Sequence, residues 1–188
     1  MLQRRSRSRL FLSFLSLALA AAALVACSGS NPNIGESPTP TGSKDFNIVA
    51  YQGQDVLGGQ ESHFSEIFDQ KKPVVLNFWA GQCPPCRAEM PEFQTVADDY
   101  AGKVIFVGID VGPFTGLGNH DDARQLLQDL GIRYPAAYAT DASPLQPYGV
   151  RAMPTTVYLS ADGKVQNTVN GIVREAQLRG QLQSMVGS

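Results

Sequence analysis

The ten residues from Asn77 to Cys86, NFWAGQCPPC, place a pair of cysteines between two segments of opposite character. Before the pair, Pro73 to Trp79 (PVVLNFW) is a short run of β-branched and aromatic residues, which is typical of a strand buried on both faces. After it, Pro84 to Tyr100 carries apolar residues at helical spacing. The stretch therefore predicts a strand, a turn that carries the cysteines, and a helix in direct succession.

Strands and helices continue to alternate along the rest of the chain. Val104 to Ile109 (VIFVGI) predicts a second buried strand, parallel to the first because a helix joins the two. Asn119 to Gly131 has the start signal, apolar face and stop signal of a helix. Thr155 to Leu159 and Val165 to Val169 flank a tight turn and predict an antiparallel hairpin, and Arg174 to Val186 predicts a final helix. This alternation predicts an α/β domain.

Two residues separate Cys83 from Cys86, and at the start of a helix this spacing brings the two sulfurs within reach of a disulfide bond. A helix N-terminus favours an anion, so we expect Cys83 to be the nucleophile and Cys86 the resolving thiol. Pro84 and Pro85 suit a first helical turn. Half of a zinc site or a structural disulfide has the same spacing, so both alternatives stay open. Zinc is disfavoured, because the chain has no second cysteine pair and its two histidines are distant in sequence.

Further along the chain, Glu89 and Pro91 follow the cysteines, and Met153-Pro154-Thr155 precedes the hairpin. Together with NFWAGQCPPC, these residues resemble the thioredoxin superfamily, and most of all its membrane-anchored TlpA/ResA-like branch. The resemblance implies a thioredoxin-like fold, with a central mixed sheet flanked by helices in a single domain over residues 44–188.

The resemblance also implies an activity and partners. Members of this branch reduce disulfides of exported proteins, often apocytochromes c. A membrane electron carrier then reduces the oxidised member of the branch again. We therefore expect an extracytoplasmic protein-disulfide oxidoreductase that works as a monomer and needs no cofactor.

The resemblance assigns Glu89 to proton transfer at the cysteines, because a dithiol must gain and lose protons as it cycles. From spacing alone, Glu89 shares a helix face with Cys86 and could equally be a solvated surface acid. Asn77 stands where thioredoxin itself carries a buried aspartate, which increases the need for Glu89.

By the same resemblance, Met153, Pro154 and Thr155 form a cis-proline loop that faces the cysteines and binds a substrate segment through its backbone. Without it, Pro154 would be only a proline at the start of a strand. Three further neighbours of the cysteines carry expectations. Trp79 is expected to pack beside the active site, and Pro91 to interrupt helical hydrogen bonds. Gln82 stands where the family usually has a tryptophan, so the surface that binds the partner is left unassigned.

The first 43 residues predict an export signal followed by a lipidated, flexible linker. Four arginines precede an apolar run, which predicts a signal peptide over residues 1–26. The run ends in Leu24-Val25-Ala26-Cys27, which resembles a bacterial lipobox, so Cys27 is the expected lipidation site and residues 27–43 a flexible linker. An uncleaved membrane anchor is the alternative. Either prediction places the domain outside the cytoplasm.

Composition excludes some functions. The net charge is −2, from 15 Lys and Arg against 17 Asp and Glu, and no basic cluster lies beyond the N-terminus, so we expect no nucleic-acid partner. Metal handling is an alternative, since thioredoxin-fold copper chaperones resemble this chain, but they use a wider cysteine spacing and a distal histidine. A peroxide-reducing enzyme is a further alternative, but the chain lacks that family's threonine-containing motif. We expect no bound metal.

One segment, Val111 to Gly118 (VGPFTGLG), matches no phosphate-binding motif. It is interpreted as an ordinary flexible loop, with part of a partner-docking surface as the alternative.

Overall fold

A computed structural model describes residues 44–186. Within that range, seven strands form one mixed sheet in the order β2-β1-β5-β4-β3-β6-β7. The strands are β1 Asn47–Gln52, β2 Glu61–His63, β3 Val74–Trp79, β4 Ile105–Asp110, β5 Ala136–Ala139, β6 Thr155–Leu159 and β7 Val165–Asn170. The helices are α1 Gln54–Leu57, a 3-10 helix Phe64–Gln70, α2 Pro84–Asp99, α3 Gly112–Thr115, α4 His120–Leu130 and α5 Glu175–Val186. The predicted signal peptide, the linker and Cys27 lie outside the described residues, and the division of the chain into three parts stays a prediction.

The centre of the sheet confirms the predicted strand–helix–strand unit. β3 and β4 are parallel, with Val74 opposite Ile105 and Trp79 opposite Asp110, and every residue of both strands is buried. The hairpin of β6 and β7 is antiparallel, and β6 also pairs antiparallel with β3. The sheet is therefore mixed, as the resemblance implied.

Side chains of β3 alternate between two apolar layers, which explains its nearly continuous hydrophobic sequence. Val75 and Trp79 belong to the layer that holds the buried residues of α2, α4 and α5. Val74 and Leu76 belong to the opposite layer, which holds those of α1 and the 3-10 helix. Helices thus cover both faces of the sheet and leave the carboxyl ends of β3 and β4 at one edge.

Local signals place α4 as predicted. The Asn119 side chain accepts hydrogen bonds from the backbone N–H groups of Asp121 (2.8 Å) and Asp122 (3.1 Å), and Asp122 Oδ2 accepts one from Asn119 N (2.8 Å). This capping box satisfies amides that have no helical partner. The helix ends at Gly131, whose φ of 62° is accessible to glycine at little cost.

Several parts of the fold differ from the sequence prediction. The segment from Val111 to Gly118 is not an irregular loop, because Gly112–Thr115 forms the helical turn α3 and Gly112 is buried. The N-terminal strands β1 and β2, which extend the sheet at one edge, were not predicted, and neither were α1, the 3-10 helix and β5. These short elements have no strong local pattern, since they depend on packing against distant parts of the chain.

Candidate active site

The cysteine pair lies where β3 gives way to α2. Cys83 is the N-cap of α2, and its sulfur forms a disulfide with Cys86 across a Cα–Cα distance of 5.3 Å. Pro84 and Pro85 occupy the first two helical positions, as predicted. The oxidised form of the pair is therefore compatible with an undistorted first helical turn.

The two sulfurs have different surroundings. Cys83 retains 3% of its surface and lines a groove, whereas Cys86 is completely buried. The backbone N–H of Cys86 points to Cys83 Sγ at 3.2 Å. Because the two prolines have no N–H, Cys86 supplies the amide nearest the helix N-terminus that can stabilise a thiolate on Cys83.

A groove of about 370 Å³ opens beside Cys83. Its walls come from three parts of the chain: the start of α2, the segment around α3, and the residues before β6. The lining residues are Cys83, Pro84, Pro85, Thr115, Leu117, Leu145, Val150, Arg151, Ala152 and Met153. Apolar side chains dominate this surface, and among the residues that the structure describes Arg151 is the one charged side chain that lines it.

The peptide bond between Met153 and Pro154 is cis. Met153 lines the groove together with Cys83, while Pro154 and Thr155 are buried behind it. Thr155 Oγ1 donates to Ala152 O at 2.6 Å, so its side chain fixes the loop rather than facing the groove. Of the three predicted loop residues, Met153 is thus the one whose surface is open to a substrate.

Glu89 is completely buried. Its two oxygens accept hydrogen bonds from Asn77 Nδ2 on β3 (2.7 Å) and from the backbone N–H of Val173 (2.9 Å). Burial raises the pKa of Glu89 from 4.5 to about 7, and both hydrogen bonds partly offset that rise. The alternative of a solvated surface acid is wrong for this residue. A carboxyl group with this pKa exchanges protons readily near neutral pH.

The remaining predicted neighbours of the cysteines differ in their burial. Trp79 is fully buried at the end of β3, and a Cβ atom on Gly108 would lie 2.7 Å from its Nε1. Pro91 lies inside α2 and is exposed. Gln82 is exposed and does not line the groove, but its backbone N–H donates to Leu117 O at 2.7 Å.

Sequence analysis missed several site residues. Thr115 and Leu117 lie in the segment interpreted as a loop, and Leu145 and Val150 lie in an irregular stretch before β6. Val173 acts through its backbone N–H, which any residue type except proline provides. The apolar residues scattered among the glycines of Val111–Gly118 were the one available signal. Across residues 44–186, no three His, Cys, Asp or Glu side chains converge on a metal-sized site.

The Redoxin family matches residues 35–182 of the chain. Thiol-disulfide oxidoreductase ResA of Oceanobacillus iheyensis is 28% identical over 148 aligned residues, which cover 74% of this chain and 75% of that protein. ResA of Bacillus subtilis is 30% identical over 115 residues, which cover 60% of this chain and 62% of that protein.

Solved structures agree on the fold. The pneumococcal exposed lipoprotein thioredoxin Etrx1 of Streptococcus pneumoniae superposes with a TM-score of 0.62 at 22% identity, covering 74% of this chain and 98% of that one. A secreted disulfide oxidoreductase of Mycobacterium tuberculosis superposes with a TM-score of 0.59 at 25% identity, covering 74% and 95%. With the fold, the cysteine pair and these relatives in agreement, the chain belongs to the Redoxin family, as a thiol-disulfide oxidoreductase of the TlpA/ResA-like branch of the thioredoxin superfamily.

Proposed function

We propose that this oxidoreductase acts outside the cytoplasm and uses Cys83 and Cys86 to reduce disulfides of exported proteins, with apocytochromes c as the substrate class. One observation carries the proposal. Cys83 lines an apolar groove large enough for side chains of a polypeptide, while its partner Cys86 is shielded behind it. A substrate disulfide can therefore approach one sulfur of the pair and not the other.

In the first step, the Cys83 thiolate of the reduced protein attacks one sulfur of the substrate disulfide. A bond forms between Cys83 Sγ and that sulfur, and the second substrate sulfur leaves as a thiolate that takes up a proton. The N–H of Cys86 and the N-terminus of α2 favour the attacking thiolate. The cis-proline loop holds the substrate chain, with Met153 at the groove surface.

In the second step, Cys86 resolves the mixed disulfide. Its thiol transfers a proton towards the Glu89 carboxylate, and the resulting thiolate attacks Cys83 Sγ, which releases the remaining substrate sulfur as a thiolate that takes up a proton. The products are a substrate dithiol and the Cys83–Cys86 disulfide. Two electrons from a membrane thiol-disulfide carrier, together with two protons, then restore the dithiol.

Trapping tests the proposed roles. In a Cys86→Ser variant the second step is blocked, so mixed disulfides through Cys83 accumulate and are seen as thiol-sensitive adducts on non-reducing gels. The matched Cys83→Ser variant forms none. If neither variant forms adducts and the reduced native protein leaves insulin disulfides intact, the proposed mechanism is wrong.

The substrate class needs its own test. Apocytochromes c carry Cys-x-x-Cys-His segments, so an oxidised peptide with this segment is the appropriate probe. We expect the dithiol to reduce it with a higher kcat/KM than a peptide of equal composition whose histidine has been moved away from the cysteines. Equal rates for both peptides contradict the apocytochrome assignment and leave the exchange chemistry intact.

Location is part of the same proposal. The arginine-rich start, the apolar run and the lipobox-like end at Cys27 support export and lipidation. Among residues 44–186, no helix is long and apolar enough to cross a bilayer. Metabolic labelling with a radioactive fatty acid should mark the native protein and not a Cys27→Ser variant. Labelling of both, or of neither, contradicts lipidation at Cys27.

A further inference from the structure

A polar cluster lies at the carboxyl end of β4, outside the exchange chemistry described above. Its centre is Asp110, which is completely buried. Asp110 Oδ2 accepts a hydrogen bond from Tyr51 Oη at 2.8 Å and lies 3.2 Å from His120 Nδ1. Asp110 Oδ1 accepts one from the backbone N–H of Gly112 at 2.8 Å. One buried carboxyl group thus joins β1, α4 and the segment after β4.

The phenol of Tyr51 donates to Asp110. Burial, and next the adjacent Asp110, raise the pKa of the Tyr51 phenol, so Tyr51 stays protonated. The Tyr51 oxygen also lies 3.0 Å from His120 Nδ1. The Nδ1 atom is thus within hydrogen-bond distance of both Tyr51 and Asp110. Tyr138 packs over the His120 ring, with centroids 4.0 Å apart, and restricts its rotation.

A line of backbone hydrogen bonds runs from this cluster to the active site. Gly112 N donates to Asp110, Leu117 N donates to Gly112 O (3.1 Å), and Gln82 N donates to Leu117 O (2.7 Å). Gln82 directly precedes Cys83. The turn that contains α3 is therefore fixed at one end by Asp110 and at the other by the residue next to the nucleophile.

The same turn forms one wall of the groove. Thr115 and Leu117 line it together with Cys83 and Met153. The base of the turn is closely packed, since a Cβ on Gly112 would lie 2.9 Å from Gly118 O and 3.0 Å from Asp110 Oδ1. The hydrogen bond from Gly112 N to Asp110 thus anchors the wall at its base.

We propose that Tyr51, Asp110 and His120 are positioning residues that hold the Thr115–Leu117 wall, and that this wall selects polypeptide disulfides over small ones. The inference rests on the proposed role of Cys83. A polypeptide must fit the groove along this wall to bring its disulfide to the Cys83 sulfur, whereas a small disulfide touches the sulfur alone. Loosening the wall therefore weakens polypeptide binding and spares the exchange chemistry itself.

The test compares two substrates in two variants. Tyr51→Phe removes one donor to Asp110, and Asp110→Asn keeps an oxygen for Gly112 N while replacing the other oxygen. For insulin as substrate, we expect KM to rise by about tenfold with little change in kcat, and for 2-hydroxyethyl disulfide we expect both constants within about twofold of the native values. The matched controls are Tyr100→Phe, at the far end of α2, and Asp98→Asn, in an exposed ion pair with Arg133. Both controls should leave both substrates unchanged.

A direct readout separates positioning from general destabilisation. Amide hydrogen exchange at Gly112 and Gln82 should speed up by about tenfold or more in Tyr51→Phe, while amides in the β6–β7 hairpin keep their native rates. The inference is overturned if the insulin KM of Tyr51→Phe stays native, or if both substrates lose activity in equal proportion. Should the native protein reduce neither insulin nor the small disulfide, the proposed function itself fails, which is a distinguishable result. If Asp110→Asn does not fold, Tyr51→Phe decides the question.

Discussion

Glu89 and Asp110 are both completely buried carboxyl groups, yet their surroundings differ. Glu89 lies in α2 and accepts two hydrogen bonds, from an amide side chain and a backbone N–H. Asp110 lies at the end of β4 and contacts a backbone N–H, a phenol and an imidazole. Burial alone therefore does not assign a role to a carboxyl group.

The difference lies in what each group's hydrogen bonds connect. Those of Glu89 leave it with a pKa raised to about 7, one helical turn from Cys86, where protons must move. Those of Asp110 reach a backbone turn beside the groove, where atoms must stay in place. We expect substitutions at Glu89 to change how stability and exchange rate depend on pH. We expect substitutions around Asp110 to change the position of the backbone turn that lines the groove.

The largest expected effect is on stability at Glu89. Folding raises its pKa from 4.5 to about 7, so its favourable contribution is fully present below about 4.5 and is lost as the pH rises through 7. The shift corresponds to about 3 kcal/mol. Relative to Glu89→Gln, the oxidised native protein should lose about that much free energy of unfolding between pH 4.5 and pH 8, measured by urea denaturation.

A Gln side chain can be accommodated at this site. Within the described residues Asn77 Oδ1 has no hydrogen-bond partner, so a rotated Asn77 amide can accept from the new Gln Nε2. An identical pH dependence in native protein and variant contradicts the raised pKa.

The next effect is on the exchange rate. If Glu89 takes the Cys86 proton, the rate of mixed-disulfide resolution rises with pH through about 7, as the carboxyl ionises. Glu89→Gln should lower that rate by about 100-fold at pH 8 and remove this rise. Rapid-mixing measurements with a preformed mixed disulfide check it. Asp110→Asn is the comparison, and its resolution rate should still rise with pH through about 7. If the rise is absent in Asp110→Asn, the two carboxyl groups do not have the separate roles assigned to them.

A smaller effect is expected where Tyr51 meets Asp110. Tyr51→Phe removes one buried hydrogen bond, which should cost about 1 kcal/mol of unfolding free energy. Urea denaturation of the variant and of Tyr100→Phe measures the cost. A cost no larger than that of Tyr100→Phe contradicts the view that this hydrogen bond stabilises the cluster.

The smallest effect is expected at Arg124, whose guanidinium carbon lies 5.2 Å from the Tyr51 ring centre. Arg124→Gln removes this contact together with the exposed ion pair to Asp121 (2.9 Å), and should cost about 0.5 kcal/mol. Urea denaturation at low and high salt measures it. A cost above that of Tyr51→Phe contradicts the view that the buried hydrogen bonds hold this cluster.

Much of the central fold was predictable from local sequence. The largely apolar strands β3 and β4, the capping box at Asn119 and the turn before Val165 each act over a few residues, and the structure confirms all of them. The resemblance added the mixed sheet and the loop at Pro154. In contrast, α3 was missed because its turn is held by Asp110 and Gln82, which lie outside the segment itself.

By itself, the sequence determined the central strands, the β6–β7 hairpin, the helices α2, α4 and α5 and the position of the cysteines, because strand burial, helix capping and the Cys83–Cys86 spacing are properties of neighbouring residues. Only the tertiary structure decided the surroundings of the two buried acids. Val173 reaches Glu89 across 84 positions and Tyr51 reaches Asp110 across 59. Desolvation and hydrogen bonding at such distances arise when the chain packs, and no local pattern encodes them.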